Sequence, residues 1–292
     1  MSENNVPPSD QALQQSPPEC EDGRDPSPTP FLVTKEHRRF AEFAAAVRRD
    51  RYIGLCYGPP GVGKTLSARH YAHWDEVAAH LDHFRFHSLA ATPQQIVEAR
   101  TIVYTPKVHN SPRTVDKDLS YWHDRVSWAV EGLLHPERDP VRFDQNCGRY
   151  AELVIVDEAD RLTTPALEQL RDHHDRTGIG VILIGMPGIE RRLARYPQLY
   201  SRVGFLHHYQ PLSAEEHAFV LARRWPHLHL DDHDDFTTAE AVAAITRITG
   251  GNFRLTQRLI AQVERILDIN QLSTVTREVV ETARESLVIG AQ

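Results

Sequence analysis

The chain has 292 residues, of which 40% are hydrophobic and 25% are charged, a composition typical of globular proteins. It contains no run of 18 or more apolar residues and begins with a polar segment, so the sequence predicts neither a transmembrane helix nor a secretory signal. We therefore expect a cytoplasmic protein without a membrane partner, long enough for one medium-sized domain and a smaller one.

The formal net charge of −7 is concentrated near the N-terminus. Residues 1–30 hold six acidic residues and one basic residue, a charge of −5, which leaves −2 for the rest of the chain. The same segment holds seven prolines and few apolar residues, so we expect it to be a disordered tail. A nearly neutral body can still carry a local basic surface, so the net charge does not exclude a nucleic-acid partner.

Residues 31–51 are predicted to form a helix, with Thr34 as its N-cap and with apolar residues at helical spacing. The basic residues of this helix are Lys35, Arg38, Arg39, Arg48, Arg49 and Arg51. We interpret it first as a solvated surface helix. Contact with the phosphates of a nucleotide or of DNA is the alternative.

The next segment fits the pattern G-x-x-x-x-G-K-[ST] of a phosphate-binding loop, preceded by an apolar strand and followed by a helix. Its glycines allow positive φ and bring backbone N–H groups close to phosphate oxygens, at the positive end of the helix that begins near Lys64. Lys64 is expected to reach the β- and γ-phosphates of ATP, and the Thr65 hydroxyl to bind Mg²⁺. The predicted nucleotide-binding residues are Gly58, Pro59, Pro60, Gly61, Val62, Gly63, Lys64, Thr65 and Leu66.

Residues 74–100 give no clear prediction, whereas Thr101–Thr105 is rich in β-branched residues and is predicted to be a strand. The following residues, up to Ser120, are predicted to be a loop. Because this loop is rich in bases, its members Lys107, Arg113 and Lys117 are candidate contacts to DNA phosphates. Two aspartates among them leave an ordinary surface loop as the alternative.

Residues 151–156 are predicted to form a central parallel strand that is buried on both faces, and two carboxylates follow it directly. Asp157 is placed to hold Mg²⁺, and Glu158 to orient and deprotonate the attacking water. The letters of residues 157–160 also spell a helicase signature. No arginine-rich helicase motif follows, however, and the chain is short for two helicase cores.

Strands and helices are predicted to alternate up to residue 211. Helices are predicted at residues 121–134 and from Thr164 as N-cap, and strands at 180–184 and 204–209, so residues 31–211 are expected to form a parallel α/β core. After Pro211 only helices are predicted, two of them at the capping boxes Ser213–Glu216 and Thr237–Glu240. Residues 212–292 are therefore expected to be a small helical domain.

Together, the phosphate-binding loop, the Asp157–Glu158 strand end and the helical segment after the sheet resemble an AAA+ ATPase, across nearly all of the chain after residue 30. The resemblance implies an α/β P-loop NTPase fold, with a parallel sheet core and a C-terminal helical lid. It implies that Arg202 is an arginine finger for the ATP of the neighbouring subunit and that Arg254, which begins a lid helix, is a second sensor arginine. The alternates for the finger are Arg191, Arg192 and Arg195.

The closer resemblance is to transposition regulators of the TniB, TnsC and Mu B type, in residues 184–193 and 250–255. It implies a homo-oligomeric ring or filament that hydrolyses ATP with Mg²⁺, binds double-stranded DNA with little sequence preference and recruits or regulates a transposase. Gly185 and Met186 depart from the family pattern, which has a polar residue at that strand end, so slow hydrolysis is expected. The alternative is an ATP-dependent loader or signalling ATPase of the origin-recognition or helicase-loader kind, acting on a protein partner.

Overall fold

A five-stranded parallel sheet is the centre of the structure, a computed structural model that describes residues 31–82, 92–137, 150–232 and 235–287. The strands, in chain order, are β1 (Ile53–Tyr57), β2 (Thr101–Tyr104), β3 (Leu153–Val156), β4 (Gly180–Gly185) and β5 (Val203–His208). Their spatial order is β2-β3-β4-β1-β5, and every neighbouring pair is parallel. All residues of β2, β3 and β4 are buried, which explains their nearly continuous apolar sequences and confirms the predicted parallel α/β core. The predicted tail, residues 1–30, lies outside the described residues.

Eight helices of the described residues precede or connect these strands. They are α1 (Lys35–Asp50), α2 (Lys64–Tyr71), α3 (Trp74–Asp82), α4 (Gln95–Ala99), α5 (Pro112–Leu134), α6 (Thr164–Thr177), α7 (Ile189–Leu193) and α8 (Pro197–Tyr200). The Thr34 hydroxyl caps α1 as predicted, by accepting a hydrogen bond from the backbone N–H of His37 at 3.1 Å. Phe40, Ala44 and Val47 follow at helical spacing and are fully buried, so they form the face of α1 that packs on the sheet.

Two predicted boundaries were wrong. Helix α5 begins at Pro112, within the predicted loop, because the Ser111 hydroxyl accepts from the backbone N–H of Thr114 at 3.1 Å and proline suits the first helical position. Helix α6 is capped by Thr163 rather than by Thr164, whose hydroxyl lies 2.7 Å from the Tyr196 hydroxyl.

After β5 the described chain is helical, with α9 (Ala214–Arg224), α10 (Phe236–Thr249), α11 (Phe253–Asn270) and α12 (Arg277–Glu285). These helices enclose a second apolar core, to which Leu221, Ile245, Leu259 and Val280 contribute fully buried side chains. None of the helices in the described ranges is long and apolar enough to cross a membrane.

The two predicted capping boxes differ in outcome. Ser213 forms the complete box with Glu216, each side chain accepting from the backbone N–H of the other, at 3.3 and 3.4 Å. The box at Thr237 was wrong, because Asp235 caps α10 instead. Its carboxylate accepts from both the backbone N–H and the hydroxyl of Thr238, at 2.8 and 2.9 Å.

Candidate nucleotide-binding site

The loop between β1 and α2 has a backbone that only glycine adopts easily. Gly61 and Gly63 have φ of 79° and 111°. A Cβ atom on Gly58 would lie 2.2 Å from the carbonyl oxygen of Tyr209, and one on Gly61 would lie 2.7 Å from Asn252 Oδ1. The glycines therefore serve both the loop conformation and the close approach of the chain after β5 and of α11.

Lys64, the first residue of α2, is 8% exposed. Its ammonium donates to the carbonyl oxygens of Gly58 and Pro59 at 2.6 and 2.7 Å. Burial lowers the pKa of Lys64, because removing the charged form from water is costly. The side chain therefore curls over its own loop.

A hydrogen bond joins the two sequence motifs. Thr65 Oγ1 donates to Asp157 Oδ2 at 2.8 Å, although 92 residues separate them in the sequence. The other oxygen of Asp157, which is 6% exposed, accepts from the backbone N–H of Glu158 at 3.0 Å. A threonine hydroxyl and a carboxylate at one point are the hard oxygen donors that Mg²⁺ prefers, so these residues fit that ion.

Glu158 leaves the end of β3 in the left-handed region, with φ of 52° and ψ of 44°. Its side chain is half exposed and forms an ion pair with Arg161. Arg161 also donates to the carbonyl oxygen of Pro106 at 3.2 Å. The carboxylate of Glu158 is therefore joined through one arginine to the segment that follows β2.

A cavity of about 560 Å³ lies between these elements at the carboxyl end of the sheet. The predicted residues that line it are Pro60, Gly61, Gly63, Lys64, Thr65, Leu66, Asp157, Glu158 and Arg254. Of the other predicted loop residues, Gly58 and Pro59 contribute the carbonyl groups that hold Lys64, and Val62 is buried in the core. Lining residues that sequence reasoning did not assign to the site are Thr105, Asp160, Ile184, Phe253 and Gln257, together with the already noted Gly185 and Met186.

Simple signals would have found some of the missed residues. Thr105 directly follows β2, whose carboxyl end lies at the same edge of the sheet as that of β3. Gln257 lies three residues after Arg254 on α11, and residues at that spacing share a helix face.

The first turn of α11 is fastened to the phosphate-binding loop. Asn252 Nδ2 donates to the carbonyl oxygen of Pro60 at 2.7 Å. The backbone N–H of Arg254 donates to the carbonyl oxygen of Gly61 at 3.0 Å. Asn252 Oδ1 also caps α11, accepting from the backbone N–H of Leu255 at 3.2 Å. Arg254 is therefore brought to the cavity by contacts of its own backbone and of a neighbouring side chain.

Arg202 does not line this cavity. It lies between α8 and β5 and makes a bidentate ion pair with Asp175, with distances of 2.6 and 2.7 Å. This guanidinium holds the pKa of Asp175 below its ordinary value. Among the alternates, Arg192 donates to the carbonyl oxygens of Asp160 and Leu162 and is held within its own subunit.

The candidate DNA-binding residues lie close together in the sequence and are all exposed. Lys107 follows β2, and Arg113 and Lys117 lie four residues apart near the start of α5. The side-chain amide of Asn110 donates to the carbonyl oxygens of Lys107 and Arg161, both at 2.9 Å. This basic segment is therefore anchored to the turn that follows Glu158.

Comparison with known proteins gives the family. The model of the AAA domain family matches residues 47–193. A "potential ATP-binding protein" of Staphylococcus aureus is 45% identical over 266 residues, which cover 89% of this chain and 97% of that protein. The Mu-like prophage FluMu DNA transposition protein B of Haemophilus influenzae is 26% identical over 183 residues, which cover 59% of this chain and 54% of that protein.

Solved structures show the same fold at low sequence identity. The Holliday junction branch migration motor RuvB of Thermotoga maritima has a TM-score of 0.52 and 18% identity, covering 89% of this chain and 71% of that one. The ORC2 protein of Aeropyrum pernix, in its ADPNP–ADP complexes, has a TM-score of 0.54 and 15% identity, covering 91% and 72%. The family model matches half of the chain, the chain covers almost all of the Staphylococcus aureus relative, and the solved structures share its P-loop fold. The chain therefore belongs to the AAA domain family.

Proposed function

We propose that this chain binds and hydrolyses ATP, that it assembles into an oligomer on DNA, and that this oligomer recruits or regulates a transposase. The observation that carries the proposal is the hydrogen bond between Thr65 and Asp157, beside the Lys64 ammonium and the cavity that all three line. A hydroxyl, a carboxylate and an ammonium at the glycine-rich start of a helix are the groups that a nucleoside triphosphate with its metal requires.

The residues have distinct roles in this proposal. Lys64 exchanges its two loop carbonyl groups for phosphate oxygens, and Thr65 with Asp157 holds Mg²⁺, which when bound neutralises charge on the phosphates. Glu158 takes a proton from the attacking water while the water oxygen bonds to the γ-phosphorus and the bond to the β-phosphate oxygen breaks. Arg254 contacts the phosphates from the helical segment, residues 212–292, which serves as a lid on the core of residues 31–211.

The DNA-binding and transposition part of the proposal has separate support. The name of the Haemophilus influenzae relative concerns DNA transposition. Three exposed basic side chains lie close together in the sequence, Lys107 between β2 and α5, and Arg113 and Lys117 in the first turns of α5. A single subunit presents few such bases, so assembly is needed to repeat them along the phosphate backbone.

The proposed ATP site is tested by two substitutions with opposite expectations. Lys64→Ala removes the ammonium and should abolish both nucleotide binding and turnover. Glu158→Gln keeps the size of the side chain but cannot accept the proton, so it should bind a fluorescent ATP analogue normally and lose turnover by about 10²-fold or more.

The control is Glu285→Gln, which changes an exposed glutamate at the end of α12 and should leave both measurements unchanged. Hydrolysis by Glu158→Gln at the wild-type rate would show that the base is another group. Wild-type protein that binds the analogue but no duplex DNA at low salt would favour the loader or signalling ATPase that acts on a protein.

A further inference from the structure

The end of β4 lacks a polar side chain, but a carboxylate from another element lies against it. Asp160 Oδ2 accepts a hydrogen bond from the backbone N–H of Met186 at 2.7 Å. A Cβ atom on Gly185 would lie 2.8 Å from the same oxygen, which is too close for an unshifted contact. The same Cβ would lie 2.5 Å from Ile189 Cδ1, so the absence of a side chain at position 185 makes room for both Asp160 and Ile189.

The backbone of Asp160 is held as firmly as its side chain. It lies in a single 3₁₀ turn, Ala159–Arg161, which begins directly after Glu158. Its carbonyl oxygen accepts from Arg192 Nη1 at 2.9 Å. The turn after β3 is thus joined to the end of β4 by the side chain of Asp160 and to α7 by its backbone, and these contacts fix the direction of the Asp160 carboxylate.

Asp160 lines the same cavity as Lys64 and Glu158. Its Oδ1 has no hydrogen-bond partner among residues 31–82, 92–137, 150–232 and 235–287, whereas Oδ2 is used by Met186. A carboxylate that faces the terminal phosphate directly would be repelled by it, so a hydrogen-bond donor between the two is required. Lys64 and Arg254 line the same cavity, but the proposed function assigns both to the phosphates, so the attacking water is the donor left for Oδ1.

We infer that Asp160 positions the attacking water, its Oδ1 accepting one hydrogen bond from that water while Glu158 takes the other proton. The inference rests on the proposed ATP hydrolysis and adds a residue to it. Asp160 takes up no proton in the step, because the proton that leaves the water goes to Glu158. The polar group that the end of β4 lacks is thus supplied from the turn after β3.

The substitution Asp160→Asn separates this role from a structural one. The asparagine carbonyl oxygen still accepts from the backbone N–H of Met186, but the amide nitrogen replaces the water-facing oxygen and cannot accept. We expect kcat to fall by about 10- to 100-fold, as for a misplaced reactant. The affinity for a non-hydrolysable ATP analogue and the thermal midpoint of unfolding should stay at wild-type values.

A second pair of variants tests the complementarity with position 185. Gly185→Ser alone should lower kcat, because its Cβ displaces the Asp160 carboxylate. In the Asp160→Ala, Ile189→Ala background both contacts closer than 3.0 Å are removed, so Gly185→Ser should restore part of the kcat that this double variant has lost, by placing a hydroxyl at the strand end. The matched control is Asp268→Asn, an exposed aspartate near the far end of α11, which should behave as wild type.

The outcomes distinguish this inference from the proposed function. If wild-type protein hydrolyses ATP, Glu158→Gln does not, and Asp160→Asn keeps the wild-type kcat, then Asp160 only fastens two elements and the inference is overturned. A loss of kcat accompanied by an equal loss of analogue affinity or by unfolding also overturns it. Wild-type protein without any hydrolysis overturns both the inference and the function on which it rests.

Discussion

At the scale of single residues, Arg202 lies outside the cavity in a bidentate ion pair. Both ends of its guanidinium contact Asp175, which also accepts from Arg171 at 2.5 Å. Such a pair fixes the rotamer of a long side chain, and less conformational freedom is then lost on further binding. The remaining guanidinium nitrogen, Nη1, donates to the carbonyl oxygen of Gln198, so the donors of Arg202 are occupied within this chain, as are those of Arg192. To act as the arginine finger that the resemblance implies, Arg202 must exchange these contacts for the phosphates bound by the adjoining subunit.

Mixed assemblies test this role. A subunit with Arg202→Ala retains its phosphate-binding loop, and a subunit with Lys64→Ala retains its arginine, so their shared interface has one complete site. The mixture should hydrolyse ATP faster than the sum of the separate variants, because a finger contributes about 10³ to 10⁵ in rate. ATPase rates at constant total protein measure the effect.

Arg176→Ala is the matched control, because Arg176 is an exposed arginine of α6 that pairs with Asp172 and Asp116. It should retain turnover without a partner variant. No rescue in subunits that demonstrably co-assemble would exclude Arg202, and Arg191 or Arg195 would be tested next.

The site was predictable from sequence where one short segment carries both the residue types and their spacing. Lys64, Thr65 and Asp157 are of this kind, since each lies in a motif with its strand and helix beside it. Asp160 and Asn252 are not. They reach the site through contacts with Met186 and Pro60, across 26 and 192 residues, and no local pattern encodes which distant backbone group a side chain meets.

At the scale of elements, the cap of α11 is also the fastening of that helix to the phosphate-binding loop. The substitution Asn252→Ala should lower the free energy of unfolding by about 1 kcal/mol, the usual effect of losing an N-cap. It should also weaken ATP-analogue binding, because Pro60 loses its partner. Fluorescence-monitored unfolding and analogue titration measure the two effects.

Thr276→Ala provides the comparison, since Thr276 caps α12 and contacts no residue of the loop. It should cost similar stability with no change in analogue affinity. Equal affinities of the two variants would mean that the Asn252 contact does not influence the bound loop.

Element boundaries were predicted where one cap dominates and missed where two signals compete. At Thr34 and Ser213 the expected side chains are the caps. At the start of α5, bases and prolines indicated a loop, yet Val115 and Leu119 are fully buried and their burial favours a helix from Pro112. At the start of α10 the cap is Asp235 and not Thr237. A capping-box pattern that admits only serine or threonine as the cap cannot identify an aspartate.

At the scale of the whole molecule, charge is distributed so that most of the net −7 lies in residues 1–30. The basic side chains proposed to contact DNA lie outside that segment, are exposed, and fall within residues 107–117. Replacing Lys107, Arg113 and Lys117 by glutamine should weaken binding about equally on unrelated duplexes. It should also reduce the slope of log affinity against log salt by about 0.9 for each lost contact.

Fluorescence anisotropy with an ATP analogue at several salt concentrations measures that slope. The control triple replacement, of Arg265, Arg277 and Arg284 by glutamine, removes the same charge from exposed positions of α11 and α12. Normal binding by the first triple variant would move the DNA contact elsewhere, first to the basic helix α1.

Arg161 contacts both Glu158 and the segment after β2, so within the proposed function we expect it to couple nucleotide binding to DNA binding. It holds the carboxylate of Glu158 with one side of its guanidinium and the carbonyl oxygen of Pro106 with another, beside the segment that carries Lys107. If a duplex binds this segment and shifts it, we expect the free energy of the Arg161–Glu158 ion pair to change. Coupling free energies between two binding sites are reciprocal. If the duplex changes the affinity for the nucleotide by some factor, a nucleotide that draws Glu158 away from Arg161 must change the affinity for the duplex by the same factor.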